Sequence, residues 1–254
     1  MKPTFSIITA TYNSAKFITE TYESIRNQTV ADWEWIVTDD FSSDATRHIL
    51  QSFSKDDSRI KLIFNKRNLG AGLSRNKSIA KSNGQFLAFL DSDDLWSPYK
   101  LEKQRFFMLQ HNAGICITCE RVISEDGSPT GRTIDLFAPK TINYFDLLSK
   151  RATFGCSSVM VNRSIINSEI RMPALRTGQD YVTWLGLLKI GYNAVLLRES
   201  LTSYRIVSNS ISRNKIKKAI RQWKIYRSIE GIAFPSAMYY FASYAIRAII
   251  EKYR

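Results

Sequence analysis

The chain of 254 residues has little cysteine and no long uninterrupted apolar run. Cys116, Cys119 and Cys156 have neither a second CxxC pair nor a neighbouring histidine, so we expect buried, reduced thiols and no zinc or redox site. No stretch reaches the roughly 18 apolar residues of a membrane-spanning helix. The first residues also lack the apolar region and cleavage site of a secretory signal, which predicts a cytoplasmic location.

Acidic residues are scarce relative to basic ones. The chain has 36 Lys and Arg against 23 Asp and Glu, a net charge of +13 and a pI near 9.7. This surplus indicates an anionic partner, which could be nucleic acid, an acidic membrane surface or a phosphorylated substrate. A hydrophobic content of 44% is typical of a globular protein and excludes a disordered chain.

One apolar run is followed directly by three carboxylates. Residues 86–90 are long enough for a buried strand, and Asp91, Asp93 and Asp94 come next. Clustered like charges raise one another's pKa unless a cation compensates them, so the cluster indicates a metal site. The alternative is an acidic turn in which Asp93 or Asp94 caps the helix that begins near Ser97.

Strand and helix patterns alternate along the first half of the chain. The predicted strands are 5–10, 33–37, 60–64 and 86–90, and the predicted helices are 15–28, one through Ile49 and Leu50, and one through Ile79 and Ala80. This alternation predicts an α/β fold with a mostly parallel, Rossmann-like sheet and helices on both faces. Polar or acidic residues follow three of the four strands, at the sheet edge where such folds bind ligands.

Further elements are predicted in the second half. They are a helix over 98–110, a hairpin turn over 122–129, a strand over 154–161, a helix from about Asp180 and a strand over 194–197. From residue 214 onward nine Lys and Arg residues stand against two Glu. A basic amphipathic helix there, followed by an aromatic segment, suits contact with a membrane surface. The alternative is a helical pair packed on the domain.

Five sequence blocks carry a family resemblance. They are SIITATYN at 6–13, VTDDFSSD at 37–44, NLG at 68–70 with SRN at 74–76, LDSDD at 90–94 and GQDY at 178–181. In this order they resemble glycosyltransferase family 2, which has the GT-A fold and includes bacterial enzymes of O-antigen, capsule and teichuronic acid synthesis. The resemblance covers about 210 residues and leaves out the tail.

The resemblance implies a donor site at the strand ends. Its nucleotide-sugar-binding residues would be Thr9, Thr11, Tyr12, Asp39, Arg75, Asp91 and Ser92. Asp91 and Asp93 match the family's DXD motif, whose carboxylates hold Mn²⁺ or Mg²⁺ together with the donor diphosphate. Arg75 resembles the arginine that reaches this diphosphate. Without the family context, Arg75 reads as an exposed arginine at the start of a helix.

Asp180 resembles the family's general base, which takes the proton of the acceptor hydroxyl in an inverting displacement. It could equally be the N-cap of its helix. Trp96, Gln179 and Arg205 are auxiliary or acceptor-site candidates. Two positions depart from the pattern, because Gln179 stands where many relatives have Glu and Val207 where they often have His.

These features predict an inverting, metal-dependent transfer of a hexose, Gal or Glc in β-linkage, from a UDP-sugar to a saccharide on a polyprenyl diphosphate lipid. We expect a catalytic domain over 1–212, with a nucleotide-binding half to about 97 and an acceptor half beyond it, and a tail over 213–254 at the cytoplasmic face of the inner membrane. A nucleotidyltransferase and a basic nucleic-acid-binding module are the alternatives; only the high pI supports the second.

Overall fold

The computed structural model describes residues 2–207 and 215–253. Its strands are β1 Phe5–Thr11, β2 Trp33–Asp39, β3 Ile60–Phe64, β4 Phe86–Phe89, β5 Leu95–Trp96, β6 Ile115–Ile123, β7 Pro129–Ile134, β8 Thr141–Ile142, β9 Met160–Asn162 and β10 Ala194–Arg205. Its helices are α1 Ile18–Arg26, α2 Thr46–Asp56, α3 Ala71–Lys81, α4 Lys100–Gln110, α5 Tyr144–Leu148, α6 Gln179–Lys189, α7 Lys215–Lys224 and α8 Phe234–Tyr253. A π-helical turn, Ile225–Ile229, follows α7.

The strands form one sheet in the order β3-β2-β1-β4-β9-β6-β10-β5, with β7 paired to β6 and β8 paired to β10. The pairs β1–β2, β1–β4 and β2–β3 are parallel, and β6 and β10 also pair in parallel. Strand β9 runs antiparallel to both β4 and β6 and joins the two parallel parts. The predicted α/β fold with helices on both faces is confirmed.

Alternation along the strands fills a core on each face of the sheet. Ile7 and Trp35 join one core, together with Leu101 of α4. Ile8 joins the other, together with Trp184 of α6. Successive side chains of a strand point to opposite faces, so apolar strands covered on both sides read as continuous apolar runs.

The predicted strand over 154–161 is wrong in its first half. Residues Cys156–Ser158 form a 3₁₀ turn, and β9 begins only at Met160. The hydroxyl of Ser158 donates to Gly155 O at 2.7 Å, a local bond that competes with strand pairing. Strand β6, which the sequence pattern did not indicate, lies between β9 and β10 and is buried over most of its length.

The described part of the tail packs on the domain. Ile225, Tyr226 and Ala237 belong to the same core as Trp184. The Tyr226 hydroxyl donates to Leu148 O at 2.6 Å. The inward face of the tail therefore packs on the domain, as the alternative of a packed helical pair predicts. No helix of the described residues is long and apolar enough to cross a bilayer, and the three cysteines are buried free thiols as predicted.

Candidate active site

The carboxyl ends of β1, β2 and β4 meet at one edge of the sheet. Thr11 at the end of β1 is paired with Asp39 at the end of β2. Strand β4 lies on the other side of β1, with Ile8 opposite Phe89, and the acidic turn follows it. Parallel pairing thus brings three chain segments that are distant in sequence to one place.

Asp39 and Thr11 leave two buried oxygens without partners. Asp39 is fully buried, and its Oδ1 accepts hydrogen bonds from Ser42 N at 3.1 Å and from Arg47 Nε. The other carboxylate oxygen, Oδ2, and the Thr11 hydroxyl are buried with no partner. Tyr12, the next residue, is 48% exposed. A ligand with a polar edge and a flat ring would satisfy the oxygens and cover the tyrosine.

Thr9 does not belong to this surface. Its side chain is fully buried, its hydroxyl donates to Leu90 O at 2.8 Å, and it accepts from Trp35 Nε1 at 2.9 Å. Both hydrogen-bonding functions are used inside the core. The prediction that the Thr9 side chain contacts the donor is therefore corrected: it ties β1 to the end of β4.

The three carboxylates of the acidic turn have different surroundings. Asp94 is buried, and its oxygens accept from Ser157 Oγ at 2.6 Å and Arg205 N at 2.8 Å. Burial and the neighbouring Asp93 raise the pKa of Asp94 well above its usual range. Asp94 caps no helix, because α4 begins at Lys100 without a side-chain cap. The cap interpretation is therefore wrong.

Asp91 and Asp93 are partly exposed at the site. Burial, and next the charge of Asp91, raise the pKa of Asp93 to about 6. A carboxylate whose ionised form is disfavoured in this way gains from a nearby cation. Ser92 between them is buried, with its hydroxyl 2.8 Å from that of Ser14.

A metal would find few side-chain ligands here. The described residues contain no group of three His, Cys, Asp or Glu side chains that could hold a metal ion. The side chain of Val207, two residues beyond β10, has no ligating atom. The two partly exposed carboxylates therefore fit a divalent cation only if a bound ligand, such as a diphosphate, supplies most of the other oxygens.

Arg75 lies between the acidic turn and α6. The residue is 4% exposed, so the alternative of an exposed arginine is wrong. Its Nη2 donates to Asp91 Oδ1 at 2.5 Å, while its Nε is buried without a partner. Burial lowers the pKa of Arg75, but the carboxylates of Asp91 and Asp180 outweigh burial and raise it overall.

A glycine allows α3 to approach the first turn of α6. A Cβ on Gly72 would lie 2.8 Å from Pro173 O and 2.9 Å from Gln179 Cγ. Arg75 follows one helical turn later and so projects from the same side of α3. The close approach therefore brings the Arg75 guanidinium beside the start of α6, where Asp180 is the second residue.

Asp180 is not an N-cap. The cap of α6 is Gly178, whose φ of 78° is left-handed and whose position has no side-chain cap bond. Burial raises the pKa of Asp180, while the Arg75 cation acts against burial without cancelling it. A carboxylate with a raised pKa beside a fixed cation has the character of a general base.

The three auxiliary candidates are all buried. Trp96 donates its indole N–H to Ser157 O at 2.9 Å. Arg205 pairs with Glu20 at 2.7 Å and donates from Nε to Asp93 O at 2.8 Å. Through these bonds both side chains support the acidic turn, and neither presents a surface to an acceptor. Gln179 packs against α3 with its Oε1 unpartnered.

Three buried polar residues are not among the site residues predicted from the sequence. Asp40 holds the turn before α3 through Leu69 N and Gly70 N, both at 2.7 Å. The hydroxyl of Ser157 donates a hydrogen bond to Asp94 Oδ2 and accepts one from Asp91 N at 3.0 Å. For Ser157 the small polar residues within an apolar predicted strand were a signal. Glu120 on β6 had none.

Comparison with known proteins agrees with this geometry. The family model described as "Glycosyl transferase family 2" matches residues 6–205. A Bacillus subtilis (strain 168) protein named as a teichuronic acid biosynthesis glycosyltransferase, TuaG, is 42% identical over 99% of this chain and 98% of its own. The Escherichia coli UDP-Glc:α-D-GlcNAc-diphosphoundecaprenol β-1,3-glucosyltransferase WfgD is 37% identical over 96% and 93%.

A solved structure supports the fold. The mannosyltransferase PcManGT from Pyrobaculum calidifontis, in complex with GDP-Man and Mn²⁺, superposes with a TM-score of 0.70 at 17% identity and covers 96% of this chain and 70% of its own. The chain belongs to glycosyl transferase family 2. It is a glycosyltransferase with the GT-A fold. Family membership favours glycosyl transfer over the nucleotidyltransferase and the nucleic-acid-binding module considered from the sequence.

Proposed function

We propose that the protein is an inverting glycosyltransferase that moves a hexose from a UDP-sugar to a saccharide linked to a polyprenyl diphosphate. The observation that carries this proposal is the convergence, at one sheet edge, of unpartnered oxygens on Thr11 and Asp39 with the partly exposed Asp91 and Asp93. Asp180 lies beside Arg75, the partner of Asp91.

The nucleoside binds at the ends of β1 and β2. Asp39 Oδ2 is an acceptor suited to the imide N–H of uracil, and a carboxylate makes this a charge-assisted hydrogen bond. Tyr12 offers an exposed ring for stacking. The same Asp39 is held in place by Arg47, so little ordering is needed when the base binds.

Asp91 and Asp93 would hold Mn²⁺ or Mg²⁺ together with the donor diphosphate, and Ser92 would lie against the donor. When bound, the cation supplies Lewis-acid neutralisation of the departing UDP. The raised pKa of Asp93 supports this assignment, because an uncompensated carboxylate is relieved by a cation. The buried Arg75 holds Asp91 in position for the same task.

Asp180 takes the proton of the acceptor hydroxyl as that oxygen attacks the anomeric carbon opposite the leaving UDP. One carboxylate suffices for this single displacement, which inverts the anomeric configuration. Gln179 is uncharged, so this neighbour adds no like charge that would raise the pKa of Asp180 further. The β-linkage follows if the donor is an α-linked UDP-hexose.

The acceptor class is supported by the names of the two relatives, which refer to teichuronic acid and to a GlcNAc-diphosphoundecaprenol acceptor. WfgD is named for UDP-Glc, so Glc is the first donor to test and Gal the second.

The outward face of the tail suits a membrane surface. Met238, Ile246 and Ile249 are each more than 45% exposed on α8, whereas Ala237 of the same helix is fully buried. Contiguous exposed apolar surface is typical of protein or membrane interaction sites. The tail also carries most of the net positive charge, which complements anionic lipid. We assign the protein to the cytoplasmic face of the inner membrane on this basis.

The test is a transfer assay. Purified protein with Mn²⁺ or Mg²⁺ is given UDP-Glc or UDP-Gal and a synthetic GlcNAc-diphosphate-lipid acceptor, and the product is analysed for linkage and anomeric configuration. A β-linked hexose, lost on chelation and in Asp180→Asn, supports the proposal. Transfer with retention, or formation of a UDP-sugar from UTP and a sugar 1-phosphate, contradicts it.

A further inference from the structure

A basic side chain of α7, Arg221, lies beside the start of α6. A Cβ on Gly178 would be 3.2 Å from Arg221 Cδ and 3.3 Å from Arg221 Nε. Lys218 precedes Arg221 by three residues and therefore lies on the same side of α7. Gly178 is two residues before Asp180. The tail thus reaches the surroundings of the proposed base.

Lys218 and Arg221 repel each other, and one N–H group of Arg221 has no hydrogen-bond partner. Burial lowers the pKa of Lys218, and the two charges that lower it further, Arg221 and Lys150, are both cations. The Nε of Arg221 is buried without a hydrogen-bond partner. Arg221 is also among the charges that oppose the raised pKa of Asp180. An anion at this place would relieve the repulsion and accept the free N–H.

The first turn of α6 adds to this site. Its N-terminal N–H groups carry the positive end of the helix dipole, and α6 has 11 residues. A guanidinium, an ammonium and a helix start together suit a phosphate or diphosphate, and the planar guanidinium can bind two of its oxygens at once.

We propose that Arg221 and Lys218 bind the diphosphate of the acceptor, one sugar ring away from the hydroxyl that Asp180 deprotonates. This inference rests on the proposed function, which supplies a diphosphate-linked acceptor. The donor diphosphate is the other source of the same chemistry, but the proposed donor site already assigns it to Asp91 and Asp93. The tail then recognises the acceptor through its diphosphate and its lipid through the outward face of α8.

The experiment measures binding without transfer. Wild type, Arg221→Gln and Lys218→Gln are titrated calorimetrically with two soluble analogues: GlcNAc joined to a short alkyl chain through a diphosphate, and the same sugar joined directly to that chain. Wild type is expected to bind the diphosphate analogue more tightly. Each substitution should weaken that binding by about tenfold or more, because it removes a charged hydrogen-bond donor. Affinity for the direct glycoside and for UDP should not change.

Lys224→Gln is the matched control, since it removes one charge from an exposed position of the same helix. Thermal melting of every variant excludes a loss of folding as the cause. A drop in UDP affinity would assign the cations to the donor instead. Equal losses for both analogues, or no preference of wild type for the diphosphate, would also overturn the proposal.

The readout separates this inference from the proposed function. If wild type transfers no hexose but loses its diphosphate preference in Arg221→Gln, the proposed reaction fails and the diphosphate site stands. A second outcome is that transfer is observed and the substitutions change only the pH profile of transfer, to the same extent with both analogues. Arg221 would then act through Asp180, and the proposed diphosphate site would be wrong.

Discussion

At the scale of single residues, environment assigns different roles to carboxylates that look alike in the sequence. Asp94 is buried and bound by Ser157 and Arg205, so it supports the acidic turn. Asp93 in the same turn is partly exposed, with a pKa raised to about 6. Burial and hydrogen bonding therefore separate a structural acid from a candidate ligand one position away.

Asp180→Asn should lower kcat by about a thousandfold, because a general base typically contributes between a hundredfold and ten thousandfold. UDP affinity measured by calorimetry should stay the same. In wild type the acidic limb of the rate profile should lie above the usual range of an aspartate, since burial raises the pKa of Asp180. Activity should fall as the pH drops through that value. A variant with wild-type kcat would exclude Asp180 as the base.

Asp39→Asn should weaken UDP binding by about tenfold or more, because it replaces a charged acceptor with a neutral amide. Asp126→Asn, in the exposed β6–β7 turn, is the control and should bind UDP as wild type does. Calorimetric titration checks both. Equal UDP affinities in the two variants would contradict binding of the nucleoside base at the end of β2.

Glu120→Gln should stabilise the fold at alkaline pH. Burial, and next the charges of Asp135 and Asp91, raise the pKa of Glu120 from an ordinary 4.5 to about 8. The native state therefore holds this proton up to a higher pH than the unfolded chain, and the stability linked to it is lost as the pH rises from 4.5 to 8. Melting at pH 9 should occur at least about 3 °C higher in the variant. At pH 5 the difference should be smaller, and a constant difference would contradict the linkage.

At the scale of elements, the approach of α3 to α6 places a cation beside the base. Gly72 permits it, since any Cβ there would clash with Pro173 O at 2.8 Å. Arg75 lies on α3 and Asp180 on α6, so only the contact between the two helices brings these side chains together. The site therefore depends on a contact between two helices that belong to different halves of the chain.

Gly72→Ala should lower kcat at least about tenfold, since small displacements of positioned groups are costly in catalysis. UDP affinity should change less, because the ends of β1 and β2 lie outside this contact. Gly186→Ala, within α6, is the control: nothing lies within 4 Å of its Cβ position. It should raise the free energy of unfolding by about 0.5–1 kcal/mol. Steady-state kinetics and urea unfolding measure these outcomes, and an unaltered kcat in Gly72→Ala would contradict the role of the contact.

At the scale of the whole molecule, the tail has two faces. Its inner face completes the main core through Ile225, Tyr226 and Ala237. Deletion of the tail would remove these side chains and destabilise the domain, so its outer face is tested by point substitutions.

Ile246→Ser combined with Ile249→Ser should reduce binding to vesicles that contain anionic lipid by about tenfold, because it removes exposed apolar area from α8. Transfer to a short water-soluble acceptor should persist. Ile190→Ser, an exposed isoleucine just after α6, is the control. Vesicle sedimentation gives the partition. Equal partition of all three proteins would contradict a membrane-facing α8.

The sequence by itself determined the alternating fold, the order of the motifs and the candidate acids, because strand and helix periodicities and strand-end residues are local patterns. Only the tertiary structure decided which of these side chains are available. It removed Thr9, Trp96 and Arg205 from the ligand surface, since each is satisfied by partners distant in sequence.

The structure also added groups that no motif indicated. Glu120 lies in a segment without a recognisable pattern and Arg221 in the predicted basic helix of the tail. The importance of each comes from its packing, Glu120 against Gly155 and Arg221 against Gly178. Burial and charge pairing are properties of three-dimensional neighbours, and for this reason the acids could be predicted from sequence while their pKa shifts, supports and cationic surroundings could not.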